Sequence, residues 1–316
     1  MQFTTRSDSI TDLASDALII GVAMGQAFDS HLGQINDATN GLLQQLDLNG
    51  ELPRKAGKTL LLHHPAGLQV GRLIVVGLGK TDKLDGITFV KAAQAVGKAL
   101  RQSQARNAHC LLSETEVQGR DAAWVVRQTA LALTHSNYIY AATKKAADDA
   151  APATDNVSFP AAEGVDAQLS IAAALGAGIQ TARDLGDLPP NVCTPVYLAE
   201  LATKLADEIE GLEVEILDED QMAELGMNSL LAVGQGSVNP SRLIRLRWQG
   251  GQADEAPLAM VGKGVTFDTG GISLKPRELM EQMKFDMCGA AATIGAVEAA
   301  ARLKLPINVD GVVGAV

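Results

Sequence analysis

Four residues late in the chain carry side chains and spacings suited to chemistry: Lys263, Asp268, Lys275 and Asp286. Lys263 follows the apolar run Leu258-Ala-Met-Val-Gly262, which reads as a buried strand, and α/β sheets place their sites at such strand ends. Gly262 and Gly264 flank the lysine and let the backbone turn sharply there. Asp268 comes five residues later, then the flexible pair Gly270-Gly271, then Lys275. Asp286 stands just before a small-residue helix that begins near Cys288 or Gly289. Two carboxylates and two lysines thus converge on one sheet edge. Such groups can serve a reaction centre, and they can also compose a salt-bridge network. Spacing alone leaves both open.

Other suggestive residues fail on geometry. Gly77-Leu-Gly-Lys-Thr81 resembles the end of a phosphate-binding loop, but the glycine required five positions before Gly79 is Ile74. A turn after a strand is the better reading. Gly176-Ala-Gly178 lies inside a helical pattern rather than after a strand, which suits close helix packing and not a dinucleotide site. The five histidines, His31, His63, His64, His109 and His135, all precede residue 140. His63 and His64 are adjacent, so on a strand their rings face opposite ways and share no metal. No Gly-x-Ser-x-Gly elbow occurs. Cys110, Cys193 and Cys288 read as small buried residues, since no histidine near Cys193 or Cys288 in sequence could activate them.

The elements that must position the four residues follow from hydrophobic periodicity. In the first part, strands are expected at 16–23, 59–62, 72–77 and 108–112. Helices are expected at 26–46, 89–103 and 121–138. This alternation defines an α/β unit over residues 1–150. Residues 141–165 mix Ala, Pro, Asp and Gly with little periodicity and read as a connection, followed by a long helix to Leu188 before Pro189-Pro190; the connecting region as a whole is 151–188. Residues 189–316 form a second unit. Thr194-Pro195 starts a helix, 213–217 is a strand, and Asp218 caps a short helix ending at Gly226. Residues 242–248 alternate basic and apolar side chains as a half-exposed strand does. Residues 307–316 form an apolar strand.

Composition sets the class. Of the 316 residues, 47% are hydrophobic and 20% charged, enough for a substantial core, but aromatics are only 3%. That core must be aliphatic, which favours helices on a sheet. A net charge of -11 repels phosphate backbones and argues against nucleic-acid partners. Three scattered cysteines suit a reducing compartment. No signal peptide is evident, and no apolar run reaches the ~20 residues a membrane helix needs, so a cytoplasmic protein with no membrane partner is expected.

The wording of the charged segments carries more than their spacing. Val261-Gly-Lys-Gly-Val-Thr-Phe-Asp-Thr-Gly-Gly-Ile-Ser-Leu-Lys-Pro276 and Met283-Lys-Phe-Asp-Met-Cys-Gly-Ala-Ala291 closely resemble the leucyl aminopeptidase (cytosol aminopeptidase) family of metallopeptidases. Ala182-Arg-Asp-Leu185, Pro190-Asn191, Thr194-Pro-Val-Tyr-Leu198 and Leu231-Ala-Val-Gly-Gln-Gly-Ser237 are similar to that family's catalytic domain as well. The resemblance covers the whole second unit and weakens in the first.

It implies a macro-domain-like N-terminal domain and a metallopeptidase domain whose mixed central sheet is flanked by helices. It implies two divalent metal ions, Mn2+ or Zn2+, activating a water. Lys263 matches a metal ligand, Asp268 the carboxylate bridging both metals, and Asp286 a ligand of the metal shared with Lys263. Burial and a neighbouring cation would favour the neutral amine that Lys263 needs. Lys275 matches the catalytic lysine over the scissile carbonyl. Implied partners are peptides with a free N-terminus, preferably apolar and leucine-like, and five further copies in a homohexamer.

The family's Asn-Thr-Asp-Ala-Glu-Gly-Arg motif, which completes the metal pair, occurs nowhere in the chain. A strand ending at Val316 would also leave an apolar, unpaired edge, so a truncated chain, inactive alone, is expected. The rival classes are a binding or regulatory relative, DNA-binding included, that kept the fold but lost activity, and a scaffold subunit of a mixed oligomer.

Overall fold

The computed structural model describes residues 1–144 and 153–316; part of the expected connection, 145–152, lies outside the described residues. The chain divides into two compact units. One comprises Met1–Ile139 with Ala146–Ala173, and the other Tyr140–Lys145 with Ala174–Val316.

The first unit contains β1 (Gln2–Arg6), β2 (Ser15–Met24), α1 (Ser30–Ala38), α2 (Leu42–Leu48), β3 (Thr59–His63), β4 (Val70–Lys80), α3 (Gly86–Gln102), β5 (Asn107–Cys110), α4 (Ala122–Asn137) and β6 (Asn156–Pro160). It also holds the first part of α5 (Val165–Asp187). The sheet order is β1-β6-β5-β2-β4-β3, parallel throughout except for β3 against β4. Strand alternation feeds two cores. Ile19, Ile74, Val76 and Val157 meet α3 and α4 on one face, while Leu18, Ile20, Leu73 and Val75 meet α1 and α2 on the other. Asp85 and Asp121 cap α3 and α4, each accepting a backbone N–H at 2.8 Å.

Three expectations change here. The single helix at 26–46 is two, because Asn40 (φ +54) and Gly41 (φ +84) break it in the left-handed region. The turn expected at Gly77 is instead the continuation of β4. There the residue stays glycine because a Cβ would fall 2.2 Å from Lys55 O and 2.3 Å from Pro53 O. Within the stretch read as a connection, 156–160 is β6, a strand hydrogen-bonded on both sides.

The second unit continues α5 and adds α6 (Pro195–Glu208), β7 (Leu212–Leu217), α7 (Glu219–Glu224), α8 (Asn228–Gly234), β8 (Arg242–Gln249), β9 (Leu258–Gly264), α9 (Cys288–Arg302) and β10 (Asn308–Ala315). Its mixed sheet runs β7-β8-β10-β9, with only the last pair parallel. Ile244, Leu246 and Trp248 of β8 point into a core with Leu198 and Leu205 of α6 and Ile294 and Val297 of α9. Arg245 and Arg247, on the alternate positions, close on Asp310 of β10 at 2.5 and 3.4 Å. Helices α5 and α9 approach so closely that a Cβ on Gly178 would lie 2.1 Å from Gly295 O.

Two strand expectations are corrected. The strand ending at Lys263 is not buried: β9 is the sheet's edge, with Leu258 58% and Val261 81% exposed. The strand near Val316 is not an unpaired edge, because β10 lies between β8 and β9 and bonds to both. Hydrophobicity reports burial, but neighbours in the sheet are set by topology, which composition does not encode. Among the described residues no helix is long and apolar enough to cross a membrane.

Candidate active site

Lys263 is the penultimate residue of β9, and glycines decide what reaches it. A Cβ on Gly262 would lie 2.6 Å from Gly289 O and 2.7 Å from Thr293 Oγ1; one on Gly289 would lie 2.9 Å from Lys263 N. Their absence lets the N-terminal turn of α9 rest on the end of β9. A 3-10 segment, Met280–Met287, then delivers Asp286 beside Lys263. Lys263 Nζ donates to Asp286 Oδ1 at 2.8 Å and stands 2.7 Å from Oδ2. The ammonium thus lies within ion-pair distance of both carboxylate oxygens. The side chain of Asp286 is 20% exposed and that of Lys263 58%, so the burial expected around Lys263 is not present.

The loop after β9 is tied to β10: Thr266 N and Oγ1 both donate to Val316 O, at 2.9 and 3.0 Å. Gly270 (φ +90) and Gly271 (φ +66) then turn the chain back, and Lys275 N donates to Thr269 O at 2.9 Å. That turn places Lys275 Nζ 3.1 Å from Asp268 Oδ2, while Oδ1 accepts from Gly270 N at 2.8 Å. The Gly270 N–H, the Lys275 ammonium and, further off, Lys263 hold the Asp268 carboxyl below the usual carboxylate range. The four residues therefore form two ion pairs, Lys263–Asp286 and Lys275–Asp268, close enough for Lys263 to act on Asp268.

One contributor was not legible in the sequence. Lys284 Nζ donates to Asp187 O, the last carbonyl of α5, at 2.9 Å and lies 4.7 Å over the Phe285 ring. A cation at a helix C-terminus is favourable, and here it fixes the segment carrying Asp286. Nothing local marks a lysine for a partner 97 positions away. The cysteines stay outside the site's chemistry: burial pushes Cys110 and Cys193 up to about 12, so neither is a thiolate near neutrality.

The donor set was tested for a divalent cation. Among the described residues no group of three or more His, Cys, Asp or Glu is arranged around a metal. Two carboxylates and one amine are nevertheless gathered, oxygen and nitrogen donors of the kind a divalent cation takes. These residues fit part of a metal shell.

A mixed-sheet unit carrying two lysines and two aspartates at a strand end, preceded by a mostly parallel α/β unit, defines a recognised class. The cytosol aminopeptidase family's N-terminal domain matches residues 19–147 and its catalytic domain residues 180–316, and the chain belongs to that family. A "Probable cytosol aminopeptidase" of Stenotrophomonas maltophilia (strain K279a) is 45% identical over 306 residues, covering 96% of this chain and 61% of that relative. A protein of the same description from Xanthomonas axonopodis pv. citri (strain 306) is 42% identical, covering 100% of this chain and 64% of its own length. The chain thus spans less than two thirds of these relatives. Among solved structures, a tomato leucine aminopeptidase mutant superposes with TM-score 0.80 at 26% identity, covering all of this chain and 62% of its own. The bottromycin maturation enzyme BotP, solved also in complex with Mn, gives 0.77 at 28%, covering 96% and 59%.

Proposed function

We propose that this chain carries the greater part of a metal-dependent aminopeptidase that removes apolar, leucine-like residues from peptides with a free N-terminus. The observation that supports the reading most is the pairing of Lys263 with Asp286 and of Lys275 with Asp268 at the end of β9. Asp286, Asp268 and the neutral amine of Lys263 would hold the cations. Mn2+ or Zn2+ suits carboxylates plus one amine, and the Mn complex of BotP favours such a centre. Two such ions would supply activated water at neutral pH and polarise the peptide carbonyl.

The chain's own groups have separate tasks. Asp268, kept ionised by Gly270 N–H and Lys275, would supply a negatively charged oxygen donor to the cations. Lys275, brought to the carbonyl oxygen, would stabilise the charge developing there, worth roughly 3–4 kcal/mol for one well-placed donor. Lys284 positions Asp286 through the end of α5. We read the chain as cytoplasmic, in keeping with the word cytosol in the family's printed description, and as one subunit of the homohexamer that the family resemblance implies.

The Asn-Thr-Asp-Ala-Glu-Gly-Arg motif is not among these residues, so the 316 residues alone are expected to bind at most one cation well and not to hydrolyse peptides. Isothermal titration with MnCl2 or ZnCl2 is expected to give one site, weakened at least tenfold by Asp286→Asn. A chimera joining the chain to the remaining third of the Stenotrophomonas relative is expected to hydrolyse leucine p-nitroanilide and to lose that activity on Lys275→Ala. A metal site indifferent to Asp286, or an active Lys275→Ala chimera, would sink the reading.

A further inference from the structure

The first unit contains a second place built for a ligand, remote in sequence from the charged segments of β9 and α9. The chain leaves β2 for α1 on one face of the sheet and leaves β4 for α3 on the other, with β5 then returning to the far side of β2. Connections that part to opposite faces leave a crevice at the carboxyl ends of the strands. A cleft of about 610 Å3 opens there, within the range of small-molecule sites.

Its lining is divided. Ile20, Leu32, Leu78, Leu84 and Leu111 make an aliphatic floor. The charged groups are Asp29, His31, Glu114 and Glu116, and no lysine or arginine lines it. His31 Nδ1 and Glu114 Oε2 are 2.5 Å apart and satisfy each other. Asp29 does not cap α1 with its side chain, and among the described residues neither it nor Glu116 forms an ion pair. The rim therefore carries uncompensated negative charge above an apolar base. An anion such as phosphate or a carboxylic acid meets repulsion, and a neutral hydrocarbon leaves the acidic rim unpaired.

We propose that this cleft binds a small primary amine with an aliphatic body, its ammonium at the Asp29 and Glu116 rim and its chain on Ile20, Leu78 and Leu111. The proposal is independent of peptide hydrolysis in the second unit. Free amines and the amino end of a peptide share this chemistry, and the test below distinguishes them.

The test is ligand-observed saturation-transfer NMR on the whole chain without added metal, using isoamylamine as the probe and isovalerate as its anionic counterpart. Isoamylamine is expected to bind and isovalerate not. The double variant Asp29→Asn/Glu116→Gln changes two exposed side chains and is expected to keep the fold, checked by circular dichroism, while weakening isoamylamine at least tenfold. Asp286→Asn is expected to leave that binding unchanged, which separates this cleft from the site on β9. Leucyl-triglycine that fails to displace isoamylamine supports the free amine; displacement overturns that choice of source. Equal binding of isovalerate, or amine binding unaffected by the double variant, overturns the proposal.

Discussion

His109 makes the stability of the first unit sensitive to mild acid. Its ring is 5% exposed on β5, with Nδ1 2.8 Å from Ser158 Oγ. Desolvation, aided by the Arg6 guanidinium, pushes the imidazole down from 6.5 to about 4. Between those values the unfolded chain takes up a proton that the folded chain refuses. Stability from keeping His109 neutral is thus whole above pH 6.5 and falls away as pH drops toward 4. The full gap corresponds to about 3 kcal/mol, of which about 2 kcal/mol is gone by about pH 5. Urea unfolding of the parent and of His109→Gln, compared at about pH 7 and about pH 5, isolates this contribution. Emission from Trp124 in a Trp248→Phe background reports the first unit. The carboxylates affect both proteins alike, so the parent is expected to lose about 2 kcal/mol more than the variant. Parallel losses would refute the assignment of a buried, neutral His109.

Three further outcomes follow from packing and charge. Gly295→Ala would place a methyl 2.3 Å from Gly178 O, and the second unit is expected to lose about 1–3 kcal/mol in thermal denaturation. Asp310→Ala removes the carboxylate between Arg245 and Arg247 and is expected to cost about 1–3 kcal/mol by the same measurement; an unchanged midpoint would show that the ladder contributes nothing. Gly270→Ala puts a Cβ 2.3 Å from Ser273 O at φ +90, so the turn must open; Mn2+ affinity is expected to fall with the thermal midpoint nearly unchanged, and calorimetry of both decides it.

How much of this was legible depends on whether the information is local. Caps are local, and Thr194 and Asp218 mark helix starts in the sequence as they do in the fold. The alternation in 242–248 likewise gives both faces of β8. Strand β6 was hidden because five residues among Ala, Pro and Asp carry little periodicity, and their partners, β1 and β5, lie about 150 and 50 positions away. The four charged residues were legible by type and by their glycine-rich setting. Their pairing, Lys263 with Asp286 and Lys275 with Asp268, was not, since a chain can turn several ways at Gly270-Gly271.

The sequence by itself determined the aliphatic α/β character, the capped starts of α6 and α7 and the residues able to do chemistry, because propensity, capping and periodicity act over a few positions. Only the tertiary structure decided that β10 sits inside the sheet while β9 forms its edge, and that α9 can lie against β9 through Gly262 and Gly289. It alone opened the cleft beside β2. Those outcomes depend on which distant segments come within a few ångströms, and that is fixed by packing the whole chain at once.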